Sequence, residues 1–117
     1  RTVQADLATY DLGTAKWAGI VSIFAHTPPD IRKRVHAGVV RALRPGGIFI
    51  LEAYRPEQLE LKTGGPPSAE LMMTADDLHL ELDGLEFLQV EEPTRDVTEG
   101  RFHRGLGAVV QVIARKP

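Results

Sequence analysis

The side chains best suited to chemistry stand where apolar runs end. His26 follows the run 20–24, and Tyr54 and Arg55 follow the run 48–51. An imidazole titrates near neutrality, so His26 is a candidate general base, or a group that orients a nucleophile. Tyr54 offers a ring to stack on and Arg55 a cation for an anionic acceptor; ordinary turn residues would read the same way. Glu99, Arg101 and His103 form a further cluster in a charged connection, whose spacing suits a loop ion pair as well as substrate contact. His26 and His103 lack metal-like spacing. With no cysteine there is no thiolate ligand, disulfide or cysteine nucleophile.

The elements that must position these residues centre on 17–54. Runs 20–24 and 48–51 are nearly continuous hydrophobe, the pattern of parallel strands covered on both faces. Between them Ile31, Val35, Val39, Ala42 and Leu43 keep helical spacing. Thr27 is the expected cap, with Pro28 at the first helical position and Asp30 completing an approximate capping box. Arg32, Lys33, Arg34, His36, Arg41 and Arg44 are assigned to a solvated outer face in preference to a nucleic-acid surface. Pro45-Gly46-Gly47 stops the helix. The result is one right-handed βαβ unit whose strands end together, bringing His26 and Tyr54 to the edge where open α/β sheets take ligands.

Elsewhere, residues 2–5 read as a short strand ending at Asp6. Thr63-Gly64-Gly65-Pro66-Pro67 is a breaker-rich loop. Thr74 caps a second helix closed by Gly84, although Leu78, Leu80 and Leu82 also alternate like a strand. Residues 85–90 and 106–114 read as an antiparallel pair joined by a long charged connection.

The 117 residues make one domain, short for a complete nucleotide-binding α/β fold. A net charge of -2 argues against a general affinity for nucleic acid or acidic membranes. No run approaches the length of a membrane span, no signal peptide is legible, and the expectation is a cytoplasmic protein.

Three stretches carry a family resemblance: Gln4-Ala5-Asp6-Leu7, Trp17 to Phe24, and Leu43-Arg44-Pro45-Gly46-Gly47-Ile48-Phe49-Ile50-Leu51-Glu52. Together with the final strand pair they resemble the C-terminal part of a class I S-adenosylmethionine-dependent methyltransferase. Residues 54–65 and 99–103 look similar to a bacterial subgroup near the tellurite-resistance and thiopurine methyltransferases.

The resemblance implies an α/β, Rossmann-like, mostly parallel sheet with a C-terminal antiparallel hairpin. It further implies S-adenosylmethionine as cofactor and a small-molecule methyl acceptor. Asp6 would contact the adenine amino group and Leu7 its ring. Phe24, Ala25 and His26 would line the methionine end and the acceptor pocket, with Tyr54, Arg55, Arg101 and His103 on the acceptor. The family's glycine-rich turn is missing from the sequence, so the expectation is a fragment that lacks the first two strands. The alternative is an inactive folding or self-association module, a homodimer formed through an exposed sheet edge.

Overall fold

The structure, a computed structural model, describes residues 1–98 and 105–117. Among these described residues five strands and three α-helices form: β1 (Trp17–Ile23), α1 (Pro29–Ala42), β2 (Leu43–Tyr54), α2 (Gln58–Leu61), α3 (Ala75–Glu81), β3 (Glu86–Glu91), β4 (Thr94–Asp96) and β5 (Leu106–Arg115). The sheet runs in the order β1-β2-β5-β3, with β4 also pairing β5. β1 and β2 are parallel, in register from Gly19 opposite Ile48 to Ile23 opposite Glu52. The βαβ unit expected at 17–54 is therefore present.

β5 is antiparallel to both of its neighbours, β2 and β3. The antiparallel pairing of the last two long segments holds. What alternation could not give is that β5 enters between β2 and β3. Its centre shows why it does: Gly107 through Val110, Val112 and Ala114 are buried, as only an interior strand allows.

Several expectations are corrected. Residues 2–5 form no strand; the segment is exposed backbone leading to a turn. Four residues cannot hold extended structure without a neighbouring strand to pair with. Helix α1 starts one residue later than expected, behind Pro28, and no side chain caps it, so Thr27 is not its cap. Pro45-Gly46-Gly47 lies inside β2, where the β1 pairing slips between Trp17 and Gly19. Gly47 is required there, because a Cβ would stand 2.9 Å from the Arg44 carbonyl oxygen and 3.0 Å from that of Trp17. The connection 91–105 also carries β4, whose three residues are too few to show a period.

The expected two-sided burial of the sheet is overturned as well. Phe49, Leu51, Ala53, Val110 and Val112 join Val39 of α1 and Leu78 and Leu82 of α3 in one core. On the opposite face Val21, Ile23, Ile50 and Leu88 are exposed. The second helix is borne out: Thr74 Oγ1 accepts from the Asp77 N–H, and Asp77 accepts from the Thr74 N–H. This reciprocal cap decides the ambiguity between helix and strand, leaving Leu80 on the solvent side.

Candidate functional site at the carboxyl edge

The downstream ends of β1 and β2 meet as the βαβ unit requires. Phe24 turns the chain with φ 49°, a left-handed conformation that costs a bulky residue roughly 1–3 kcal/mol. Its N–H donates to the Glu52 carbonyl at 2.8 Å, tying the turn to β2. The Phe24 and Tyr54 rings stack with centroids 4.8 Å apart, and His26 lies 5.6 Å from Tyr54 in nearly the same orientation. These three rings line a hollow of about 240 Å³ with Gly65, Pro66 and Leu71.

The stack dictates what His26 can do. Its Nε2 accepts from the Tyr54 N–H at 3.0 Å, so the neutral ring carries its proton on Nδ1. A ring so held orients its neighbours; to take a proton at Nε2 it would first surrender the Tyr54 bond. Replacing His26 by phenylalanine keeps an aromatic ring but leaves that N–H without its acceptor, an expected loss of about 1–3 kcal/mol of folding stability. Urea unfolding checks this, and a His26→Phe protein as stable as the parent refutes it.

Arg55 is buried and turned away from the hollow. Its Nη1 donates to the Glu92 carbonyl at 2.8 Å, and Nη2 lies 3.4 Å from the Thr94 hydroxyl. Its guanidinium thereby fastens the segment between β3 and β4 to the end of β2. Asp6 is exposed, and its Oδ1 accepts from the Ala8 N–H at 2.9 Å, the bond of an aspartate turn. Leu7 and Ala25 come together on a second hollow, between β1 and α1. Glu99, Arg101 and His103 lie outside the described residues. Among the described residues, no group of three His, Cys, Asp or Glu side chains is placed to hold a metal ion.

Some supporting residues gave no sequence signal. Gln58 is fully buried: its amide donates to the Thr63 hydroxyl and the Gly64 carbonyl, and its Oε1 accepts from the Ala108 N–H. It thus holds the Gly64-Gly65 loop against Tyr54. Glu52, on the bare face, is bound by Arg95 at 2.6 and 2.8 Å and by Gln111 at 2.7 Å. Donation from Arg95 keeps its carboxyl below the ordinary range.

The largest departure concerns the helix face assigned to solvent. Arg32 and His36 are buried against α3: Arg32 donates to both Glu81 oxygens at 2.8 to 3.0 Å, and His36 Nδ1 lies 2.8 Å from Oε1. Arg32 Nη1 also donates to the Met72 carbonyl at 3.0 Å. Arg32 and His36 are one helical turn apart, a spacing that marks a shared face. Their partner lies 45 residues beyond His36 and leaves no local trace.

No protein-family profile matches the chain, nor does any curated protein. Solved structures do. TehB from Haemophilus influenzae superposes with TM-score 0.73 at 16% identity, over 98% of this chain and 40% of that one. A SAM-dependent methyltransferase from Methanosarcina mazei gives 0.64 at 18%, over 96% and 65%. The 1,6-didemethyltoxoflavin-N1-methyltransferase of Burkholderia thailandensis, with bound 1,6-didemethyltoxoflavin and S-adenosylhomocysteine, gives 0.63 at 20%, over 97% and 49%. The chain thus spans 40% to 65% of the length of these three proteins. At such identities the likeness concerns architecture: the chain has the fold of class I S-adenosylmethionine-dependent methyltransferases over the part it covers.

Proposed function

We propose that this chain is the acceptor-side part of an S-adenosylmethionine-dependent methyltransferase that acts on a small molecule in the cytoplasm, with neither nucleic acid nor membrane as partner. The observation that carries the reading is the ring-lined hollow at the carboxyl edge of a methyltransferase-type sheet. The cofactor supplies an electrophilic methyl carbon on a sulfonium. Displacement there asks the protein chiefly for alignment and exclusion of water.

In this reading Leu7 gives adenine an apolar contact, with Asp6 beside it. Phe24, Ala25 and His26 border the methionine end. Tyr54 stacks on the acceptor, Arg55 braces that strand, and Arg101 and His103, outside the described residues, are the acceptor's further contacts. The residues present fit the two ends of the cofactor, whereas the glycine-rich cradle between them is absent from the sequence. Calorimetric titration with S-adenosylhomocysteine, on this chain joined to its upstream coding sequence, should give saturable heat. Absence of heat and of competition overturns the reading.

A second reading, self-association, is favoured by β1. Among the described residues it ends the sheet with one row of peptide groups unpaired, and Val21 is 65% exposed. Such an edge templates pairing with a second copy. Sedimentation at rising concentration should then show a dimer that Val21→Lys abolishes; a monomer throughout excludes it.

A further inference from the structure

One side of the ring-lined hollow at the carboxyl edge is the segment 63–67, which brings Gly65 and Pro66 to the lining. Its backbone is irregular. Gly64 has φ 119° and Gly65 φ 92°, and neither Pro66 nor Pro67 has an N–H to donate. Among the described residues, 63–67 makes no backbone–backbone hydrogen bond. A segment of this kind takes its place from side chains.

The side chain that gives it one is Gln58, at the start of α2. Its Nε2 donates to the Thr63 hydroxyl at 2.9 Å and to the Gly64 carbonyl at 3.0 Å. The Thr63 hydroxyl donates onward to the Leu106 carbonyl. On the other side of the amide, Oε1 accepts from the Ala108 N–H at 2.8 Å. Both N–H groups and the oxygen are thus engaged, in a residue 1% exposed. The packing is equally close: a Cβ on Gly65 would stand 3.1 Å from Gln58 Cγ and 3.2 Å from Tyr54 Cδ2. The segment therefore lies against the Gln58 stem and the Tyr54 ring together.

We infer that Gln58 is a positioning residue for the methyl acceptor. Through 63–67 it fixes how far that wall stands from Tyr54, and through Ala108 it ties the wall to the start of β5. The bonds from Gln58 to Thr63, from Thr63 to Leu106 and from Ala108 back to Gln58 make wall and strand one body. The connection bearing Arg101 and His103 runs in sequence into that same start of β5. The proposed acceptor contacts, from distant stretches of chain, thereby share one frame, which is what alignment of a nucleophile for displacement requires. The inference rests on the methyltransferase reading only for what the hollow receives.

The test compares the isotope-labelled parent, Gln58→Glu and Thr63→Val by NMR relaxation and amide hydrogen exchange. Glutamate keeps the acceptor for Ala108 and, in either protonation state, gives up at least one of the bonds donated to the wall. Order parameters of Gly64 and Gly65 should fall from about 0.85 to below about 0.6 in that variant, while exchange at Ala108 stays within about 3-fold of the parent. The Tyr54 ring resonances should move with them. A glutamine that only filled space would leave the wall unchanged, because the volume is the same, or would spread the loss evenly over wall and strand. Thr63→Val, outside the core, should loosen Gly64 and Gly65 in the same sense even if Gln58→Glu does not fold. Rigid Gly64 and Gly65 in the folded variants, or an Ala108 N–H that exchanges in Gln58→Glu as freely as in an unfolded chain, overturns the inference. With the upstream coding sequence joined, Gln58→Glu should bind S-adenosylhomocysteine within about 2-fold of the parent, because the amide touches neither end proposed for the cofactor. Binding lost in the variant alone overturns the inference. Binding absent from the parent too overturns the methyltransferase reading and leaves the relaxation result in force.

Discussion

Replacing Glu81 by leucine is expected to cost about 3–5 kcal/mol, the effect of removing one partner from a buried ion pair. Glu81 receives the Arg32 fork and the His36 N–H, and the side chains of all three residues are at most 7% exposed. Arg32 cannot swing into solvent without also abandoning the Met72 carbonyl. The charge would stay where it is, unneutralised, between α1 and α3. Against a total stability of about 5–15 kcal/mol, this is about a fifth or more of what holds the fold together. The double variant Arg32→Met, Glu81→Leu should recover most of the loss, because it leaves no lone charge. Urea denaturation of both proteins decides the matter: a single variant within about 1 kcal/mol of the parent, or a double variant no better than the single, refutes it.

The same cluster gives a pH dependence. Burial lowers the proton affinity of His36 below its ordinary value of 6.5, opposed more weakly by the Glu81 hydrogen bond and charge, while the Arg32 charge also lowers it. The unfolded chain therefore binds that proton more readily than the folded one. The stabilisation is complete above 6.5 and is lost as the pH falls through the folded value. Denaturation midpoints should drop on acidification below 6.5 in the parent, and drop less in His36→Phe.

Phe49→Ala is the second large effect, again about 3–5 kcal/mol. Phe49 is fully buried at the middle of β2, opposite Ile20 on one side and Ala114 on the other. Its ring also meets the His36 imidazole edge-on, with centroids 6.2 Å apart. Truncation would join the space it vacates to the hollow beside it, and the surrounding strands are too well paired to close over the gap. Phe49→Leu keeps most of the volume and should cost well under half as much. Should the alanine variant lose less than about 1.5 kcal/mol, the position is not the packing centre described here.

How much of this could be read beforehand follows the reach of each interaction. Period and caps are local, so the βαβ unit, the Thr74 helix and the two late strands were legible, as was the meeting of His26 with Tyr54. The role of Arg32 and His36 was hidden, because a basic residue on a helix is ordinarily solvated unless a distant carboxylate answers it. Arg55 differs from expectation for the same reason: besides the neighbouring Glu57, its partners are the Glu92 and Val109 carbonyls and the Thr94 hydroxyl, which no spacing announces. Continuous hydrophobe in β1 and β2 promised two covered faces, yet α1 and α3 lie on one. The residue string records that Val21, Ile23 and Ile50 seek cover and is silent on what provides it.

The insertion of β5 between β2 and β3 has a consequence for how the molecule comes into being. On the ribosome, both flanking strands are translated before the one that bridges them, so each must wait with an open side until residues 106–115 emerge. Native assembly is thereby postponed to the end of synthesis of this segment, and nascent chains stalled before Leu106 would present two unsatisfied ribbons to chaperones instead of a partly built sheet.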